Sequence, residues 1–266
     1  MTLLRATISN TTTSNTTTGK MFGLFKKKEA KREITFDYSS IGVDMHSHIL
    51  PGIDDGAQNP QESIFLIKQM MEVGIKKFIA TPHIMVDYYR NNAETITNAL
   101  TILKAELEKE SIDVEVQAAA EHYFDETFEK RIDAGELMIM GDNYVLFEFS
   151  FINQPVNTIP VVEKLKDKGY KPILAHPERY PYMDLEQFRN LHDWGVDFQM
   201  NTISLTGYYG LGAKKIAEQL IDNQLINFIS SDMHHPRHAE AFKKALRMPY
   251  LEKLLFDYPL KNTLLK

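Results

Sequence analysis

Seven short β-rich runs, each followed by a stretch of helical periodicity, recur along this chain and constrain its fold more than any other feature. The runs fall at 41–46, 77–81, 113–120, 144–149, 172–176, 196–201 and 226–231. Helical patterns occupy 60–73, 92–109, 123–134, 156–169, 185–194, 211–223 and 237–247, with a last one near 251–257. The first is the most fully signalled. Asn59 is placed to cap it, Pro60 fits its first position, Glu62 completes a capping-box pattern, and Ile64, Ile67 and Met71 make one apolar stripe before Gly74. Strand-then-helix repetition with short loops predicts an α/β fold of parallel βα units. No glycine-rich phosphate turn follows the first strand, which favours an incomplete or distorted barrel over a doubly wound sheet, a choice that periodicity alone leaves open.

The 266 residues are 43% hydrophobic and 25% charged, enough apolar material for a sizeable core. With 30 basic against 36 acidic side chains the net charge is -6, so nothing in the charge balance calls for a nucleic-acid partner. Cysteine is absent, which excludes disulfides, thiolate ligands and a cysteine nucleophile, and suits a cytoplasmic location. No apolar run reaches the roughly 18 residues of a transmembrane helix. Residues 1–20 are rich in Ser, Thr and Asn and carry too little apolar surface to order. They lack the apolar centre of a secretory signal and match a transit peptide or a glycosylated segment only weakly, so Met21 is the expected natural start. The following MFGLFKKKEAKRE reads as a frayed basic end, with contact to an anionic membrane surface as the alternative. Residues 1–33 are thus expected to be an extension and 34–266 a single domain.

Chemistry-bearing side chains concentrate where strands end. In Asp44-Met45-His46-Ser47-His48, alternate residues of an extended chain can converge, and Asp54-Asp55-Gly56 follows in a turn. The second run ends in Thr81-Pro82-His83, the third in Glu121-His122, the fifth in His176-Pro177-Glu178-Arg179 and the seventh in Asp232-Met233-His234. In (β/α) barrels such ends open on one face. Nitrogen and oxygen donors without sulfur suit manganese, iron, zinc or magnesium, and their number implies at least two ions, with Glu121 or Asp232 as a bridge. His122 alternates away from Glu121, and His192 lies in a helix, so both are expected to serve packing or surface. His235 and His238 are not expected to be ligands. Arg179 and Arg237 follow two of the histidines on the same face, where a guanidinium can hold phosphate oxygens in a fork. Tyr88, Tyr89, Tyr180 and Tyr208 are candidates for the mouth of the site.

The segments DMHSHILPGIDDG, ATPH, AAAEHY, AHPERY and SDMHH, in this order, resemble the polymerase and histidinol phosphatase (PHP) superfamily over about residues 41–240. Within it the chain is most similar to the bacterial CpsB/CapC-type capsule-biosynthesis tyrosine phosphatases. The resemblance implies a distorted seven-stranded (β/α) barrel of PHP type and metal ligands at His46, His48, Asp55, His83, Glu121, His176, Asp232 and His234. It implies two or three divalent ions, most simply manganese, and a phosphate-binding role for Arg179. The corresponding second arginine falls at a different spacing in relatives, and Arg237 takes that role here as an expectation. The implied reaction is metal-dependent hydrolysis of phosphotyrosine on a tyrosine autokinase governing capsular or other exopolysaccharide export. A small-molecule phosphoesterase of the histidinol-phosphatase kind, a non-catalytic metal-binding scaffold and a nuclease are the rivals. Amphipathic helices near the termini leave room for a homo-oligomer.

Overall fold

The computed structural model describes residues 35–266; the expectations for 1–33, including a membrane-contacting basic end, lie outside the described residues. In chain order the strands are β1 (Val43–Asp44), β2 (Lys77–Ala80), β3 (His83–Ile84), β4 (Glu115–Ala118), β5 (Glu121–Tyr123), β6 (Tyr144–Glu148), β7 (Lys171–Ala175), β8 (Asp197–Asn201) and β9 (Phe228–Ser230). Every pairing between them is parallel, in a three-stranded sheet β1-β2-β4 and a six-stranded sheet β3-β5-β6-β7-β8-β9. β2 and β3 are one stave interrupted at Thr81-Pro82, where proline has no N–H to give to the ladder. β4 and β5 are likewise one stave, interrupted at Ala119-Ala120 on the same level. The nine strands therefore make the expected seven staves, and the paired interruptions are the distortion.

The seam between the first and last staves closes by a different device. Ser47 and Met233 form a parallel bridge, His48 N–H donates to the Met233 carbonyl and Asp232 N–H to the His46 carbonyl. Asp44 lies at this seam and does not converge with His46 and His48 as strand alternation suggested. Its buried carboxylate accepts from the Ser230 hydroxyl at 2.6 Å, the Ser231 hydroxyl at 2.9 Å and the Ser231 N–H at 2.8 Å. A buried acid is tolerated because both of its oxygens accept hydrogen bonds.

Helices α1 (Pro60–Met71), α2 (Ala93–Lys109), α3 (Glu126–Ala134), α4 (Thr158–Asp167), α5 (Leu185–Asp193), α6 (Leu211–Asp222), α7 (Pro236–Ala245) and α8 (Pro249–Asp257) cover the outside. Local chemistry sets their ends. Asn59, Asn92, Asp125 and Asp184 accept from the first-turn N–H groups of α1, α2, α3 and α5, and α3 stops at Gly135, whose φ of 72° suits glycine. Among the described residues no helix is long and apolar enough to cross a membrane.

Two apolar regions result from strand alternation. Val145 and Phe147 of β6 and Phe198 and Met200 of β8 belong to the large layer between sheet and helices. Tyr144 and Leu146 of β6, with Val43, Ile79, Ile173, Ala175 and Phe228, fill the barrel interior. Leu265, from the single helical turn Lys261–Leu265, plugs the amino-terminal end of that interior, anchored where Asn262 exchanges two hydrogen bonds with the Ile229 backbone. The opposite end carries the polar cluster.

Candidate active site

Alternation that puts Leu146 inside the barrel puts Glu148 inside as well, one step nearer the carboxyl end. The same rule carries Ala119 into Glu121. On β7, Ile173 and Ala175 face inward, so a regular continuation would send His176 outward. His176 instead takes φ +33°, and its Nε2 reaches Glu121 Oε1 at 2.9 Å inside the barrel. Asp232, just past β9, is also left-handed at φ +51°. Ser111, Asn143 and Gln224 share this sparsely populated region in turns away from the site, while His176 and Asp232 take it at the cluster, where it sets the direction of a donor side chain.

Glycine is required in the Asp54-Asp55-Gly56 turn for a different reason. A Cβ on Gly56 would lie 1.9 Å from the His48 carbonyl oxygen, so only glycine lets this turn fold against the first stave. The turn splits the two aspartates. Asp54 is buried, its Oδ2 2.7 Å from His48 Nδ1, while half-exposed Asp55 has its Oδ1 3.5 Å from both His83 Nε2 and His234 Nε2.

At the centre, His46 Nε2 and His48 Nε2 stand 3.3 Å apart, Glu121 Oε2 is 3.3 Å from each and Asp232 Oδ1 is 3.4 Å from each. Four overlapping groups, each with its donor atoms within 4.8 Å of one another, can hold a cation: His48, Asp55, His83 and His234; His46, His48 and Glu121; His46, His176 and Asp232; His83, Glu121 and Glu148. All eight residues singled out in the sequence meet here. Glu148 joins them unforeseen, although its signal was present as the one charge in the otherwise apolar run YVLFEF.

The ring orientations fit metal ions. His46 Nδ1 faces Gln199 Oε1 at 2.7 Å, His48 Nδ1 faces Asp54 Oδ2 at 2.7 Å and His234 Nδ1 faces the Asp232 carbonyl at 2.9 Å. Each acceptor favours the tautomer with its proton on Nδ1, in which Nε2 offers its lone pair as a metal-ligating imidazole needs. Glu121 Oε2 and His83 Nδ1 are buried without a hydrogen bond of adequate geometry, two donor atoms waiting for a partner. The charges agree. Burial alone would raise Asp232, yet His46 and His234 hold it well below the carboxylate range. Against burial, Glu121 and Glu148 raise His83 to about 9. Positive charge is what these carboxylates require, and a divalent cation would supply it.

The cluster floors a cleft of about 570 Å3 walled by Tyr88, Tyr89, Phe151, Ile152, Arg179 and Tyr209. The guanidinium of Arg179 is held between the rings of Phe151 and Tyr209, 4.3 Å from each, and its Nη1 reaches Asp232 Oδ2 at 3.3 Å. Tyr209 and Phe151 were not foreseen, since neither stands beside a histidine motif.

Other expectations are corrected. Arg237 is exposed and lines a separate hollow with Thr206, Tyr208, Glu240 and Lys244, because it sits in the first turn of α7 pointing off the barrel. Tyr208 faces that hollow too. Tyr180 is fully buried, its hydroxyl accepting from Phe149 N–H and donating to the Ala175 carbonyl, so it ties two staves together beneath the mouth. The expectation for His122 and His192 agrees with the structure: His122 points outward and stacks on Phe128, and His192 packs edge-on against Phe198. His235 and His238 line the cleft without joining any of the four ligating groups.

Seven parallel staves with an imidazole–carboxylate cluster at their carboxyl ends define the class of (β/α) barrels built to hold metal ions on one open face. The chain belongs to the capsular polysaccharide synthesis CpsB/CapC family, whose model matches residues 42–255. It is similar to the tyrosine-protein phosphatase YwqE of Bacillus subtilis strain 168, at 32% identity over 196 residues, 73% of this chain and 77% of the relative. Similarity extends to the CapC protein of Staphylococcus aureus, at 31% identity over 218 residues, 81% and 82% of the two chains. Among solved structures, one from a study of Bacillus subtilis YwqE and Streptococcus pneumoniae CpsB, described as unique metal-dependent tyrosine phosphatases, superposes with a TM-score of 0.71. It shares 29% identity and covers 82% of this chain and 96% of the other. An amidohydrolase from Mycoplasma synoviae shares the fold at a TM-score of 0.53 and 14% identity, covering 86% and 88% of the chains.

Proposed function

We propose that this chain is a metal-dependent phosphotyrosine protein phosphatase acting on the phosphorylated tail of a tyrosine autokinase in capsular or exopolysaccharide production. The observation that carries this reading is the open cleft over the imidazole–carboxylate cluster, with Arg179 clamped at its wall. His46, His48, Asp55, His83, Glu121, His176, Asp232 and His234, joined by Glu148, would hold two or three ions, manganese being the one the family resemblance implies and a nitrogen-and-oxygen donor set admits. When bound, such ions neutralise phosphate charge and lower the pKa of a coordinated water.

The chain's own groups do the rest. Hydrolysis of an aryl phosphate concentrates charge on three equatorial oxygens. Arg179 stands ready to bind them through guanidinium N–H groups that its two aromatic neighbours keep from swinging away. Tyr89, its ring nearly parallel to that of His83 with centroids 5.4 Å apart, and Phe151 wall the space a phenyl ring would enter. Phenolate, with a reference pKa of about 10, leaves with modest assistance. Exposed Tyr88 and Ile152 at the rim leave room for a polypeptide on either side, which favours a protein tail over an enclosed metabolite.

Residues 34–266 form the catalytic domain in this reading. The absence of cysteine favours the cytoplasm, at the inner membrane face where the basic segment after Met21 can add affinity. Exposed Phe256 and Leu264 near the carboxyl terminus favour self-association, which light scattering would detect. The central test is phosphate release by protein that has been chelated and then reconstituted with manganese, from phosphotyrosyl peptide, phosphoserine peptide and histidinol phosphate in parallel. Manganese-dependent release from phosphotyrosine far above the other two is expected. Preference for histidinol phosphate would replace the proposal with a metabolite phosphoesterase, and no release with any metal would leave a binding scaffold.

A further inference from the structure

β8 is the stave whose inner face carries amides where apolar side chains would be expected. Phe198 and Met200 face the helices, and Gln199 and Asn201, two residues apart and therefore on the same side, face the barrel interior at 0% exposure. Burying two amides is costly unless every donor and acceptor is matched, so their partners reveal what they are for.

The partners form one chain of hydrogen bonds. Asn201 Nδ2 donates to Asp232 Oδ2 at 2.6 Å, Gln199 Nε2 donates to Asn201 Oδ1 at 2.9 Å, and Gln199 Oε1 faces His46 Nδ1 at 2.7 Å. Only one polarity is consistent with all three. The Asp232 carboxylate can only accept, so Asn201 must turn its NH2 towards it and its carbonyl towards Gln199. Gln199 must then present its NH2 to Asn201 and its carbonyl to His46. His46 must donate from Nδ1, so that in the neutral ring Nε2, the atom that faces His48, Glu121 and Asp232 at the centre, carries the free lone pair. At the other end Asp232 Oδ2 is occupied by Asn201, with Arg179 Nη1 at 3.3 Å and the Tyr209 hydroxyl at 3.4 Å, which leaves Oδ1 as the oxygen turned towards His46 and His48. The origin of the relay is itself fixed, because Asn201 N–H donates at 3.0 Å to buried Glu178, which also accepts from Ser204.

We infer that Gln199 and Asn201 are positioning residues that act as one unit, setting the His46 tautomer and the free oxygen of Asp232 so that both atoms are presented to the same metal ion. The inference rests on the reading of His46 and Asp232 as ligands. Outer partners of this kind change metal affinity by about 10- to 100-fold when removed. A relay that works as a unit loses its effect once, wherever it is cut.

The test is a manganese titration of apo-protein, following free Mn2+ by electron paramagnetic resonance, on wild type, Gln199→Met, Asn201→Leu, the double variant and His46→Ala, with folding checked by circular dichroism. Each single variant is expected to raise the manganese Kd at least tenfold, and the double variant to resemble the weaker single rather than their product. Should Gln199→Met not fold, Gln199→Asn keeps an amide but withdraws it by one methylene, and is expected to weaken binding likewise. Wild-type affinity in folded Gln199 and Asn201 variants, alongside lost binding in His46→Ala, overturns the relay and spares the site. Multiplicative losses in the double variant overturn the single unit. Wild-type binding in His46→Ala overturns the ligand reading beneath both.

Discussion

Arg179 and Arg237 look alike in sequence, each three residues beyond a histidine at a strand end, and tertiary position separates them. Arg179 lies in a single helical turn, Pro177–Arg179, which starts at the left-handed His176 and lifts the side chain over the cleft. Phe151 and Tyr209 then hold the guanidinium plane on both faces, so little rotamer freedom is left to lose on binding phosphate. Lysine has neither the fork nor the planar faces. Arg179→Lys is therefore expected to lower kcat/KM on a phosphotyrosyl peptide about a hundredfold, with manganese binding retained, whereas Arg237→Ala leaves kcat/KM unchanged. Steady-state kinetics on the two variants decides it, and equal losses would remove the distinction drawn between them.

At the scale of elements, the staves are short and rely on side chains to bind neighbours where the backbone ladder is interrupted. Tyr180 is one such tie. Its ring is buried among Phe149, Phe151 and Tyr182, and its hydroxyl joins the Phe149 N–H beyond β6 to the last carbonyl of β7. Tyr180→Phe keeps the packing and leaves both backbone groups without their partner. A cost of about 1–3 kcal/mol is expected. At roughly 2–4 °C per kcal/mol for a domain of this size, thermal denaturation should register it. Because Phe151, which holds Arg179, lies two residues beyond Phe149 and packs on the Tyr180 ring, the same variant is expected to lose some activity through looser positioning of the arginine. An unchanged melting curve would show that the hydroxyl is dispensable.

The molecule as a whole concentrates buried charge at one end of its barrel. Glu121, Asp232, His46 and His48 are all but inaccessible to water, so their desolvation costs stability that pairing among them only partly offsets. Ions that bind the folded barrel and not the unfolded chain add RT ln(1 + [L]/Kd), about 2.7 kcal/mol at a hundredfold excess over Kd. Chelation is expected to lower the melting temperature by roughly 5 °C or more, and added manganese to restore it, in differential scanning calorimetry. A melting temperature indifferent to chelator and metal would contradict metal binding at this cluster.

The βα repeat is legible in the sequence because periodicity and capping act within a few residues: Asn59, Pro60 and Glu62 mark the start of α1 without help from distant parts of the chain. The sequence also displays the donor-bearing strand ends, because such side chains stand out against apolar runs, and the family resemblance singles out the eight donor residues among them. Other roles depend on contacts between residues far apart in the chain. Asp44 is a seam fastener because Ser230 and Ser231 arrive 186 and 187 residues later. Tyr180 is a tie rather than a mouth residue because Phe149 and Ala175 close around it. Glu148 becomes a site carboxylate because the barrel curls its stave beside Glu121 and His83, and Gln199 and Asn201 acquire a purpose because His46 and Asp232 reach them from opposite ends of the chain. A hydrogen bond has direction and a reach of about 3 Å. Periodicity reports which face of an element a residue occupies, and only the closed barrel brings the partner to that face.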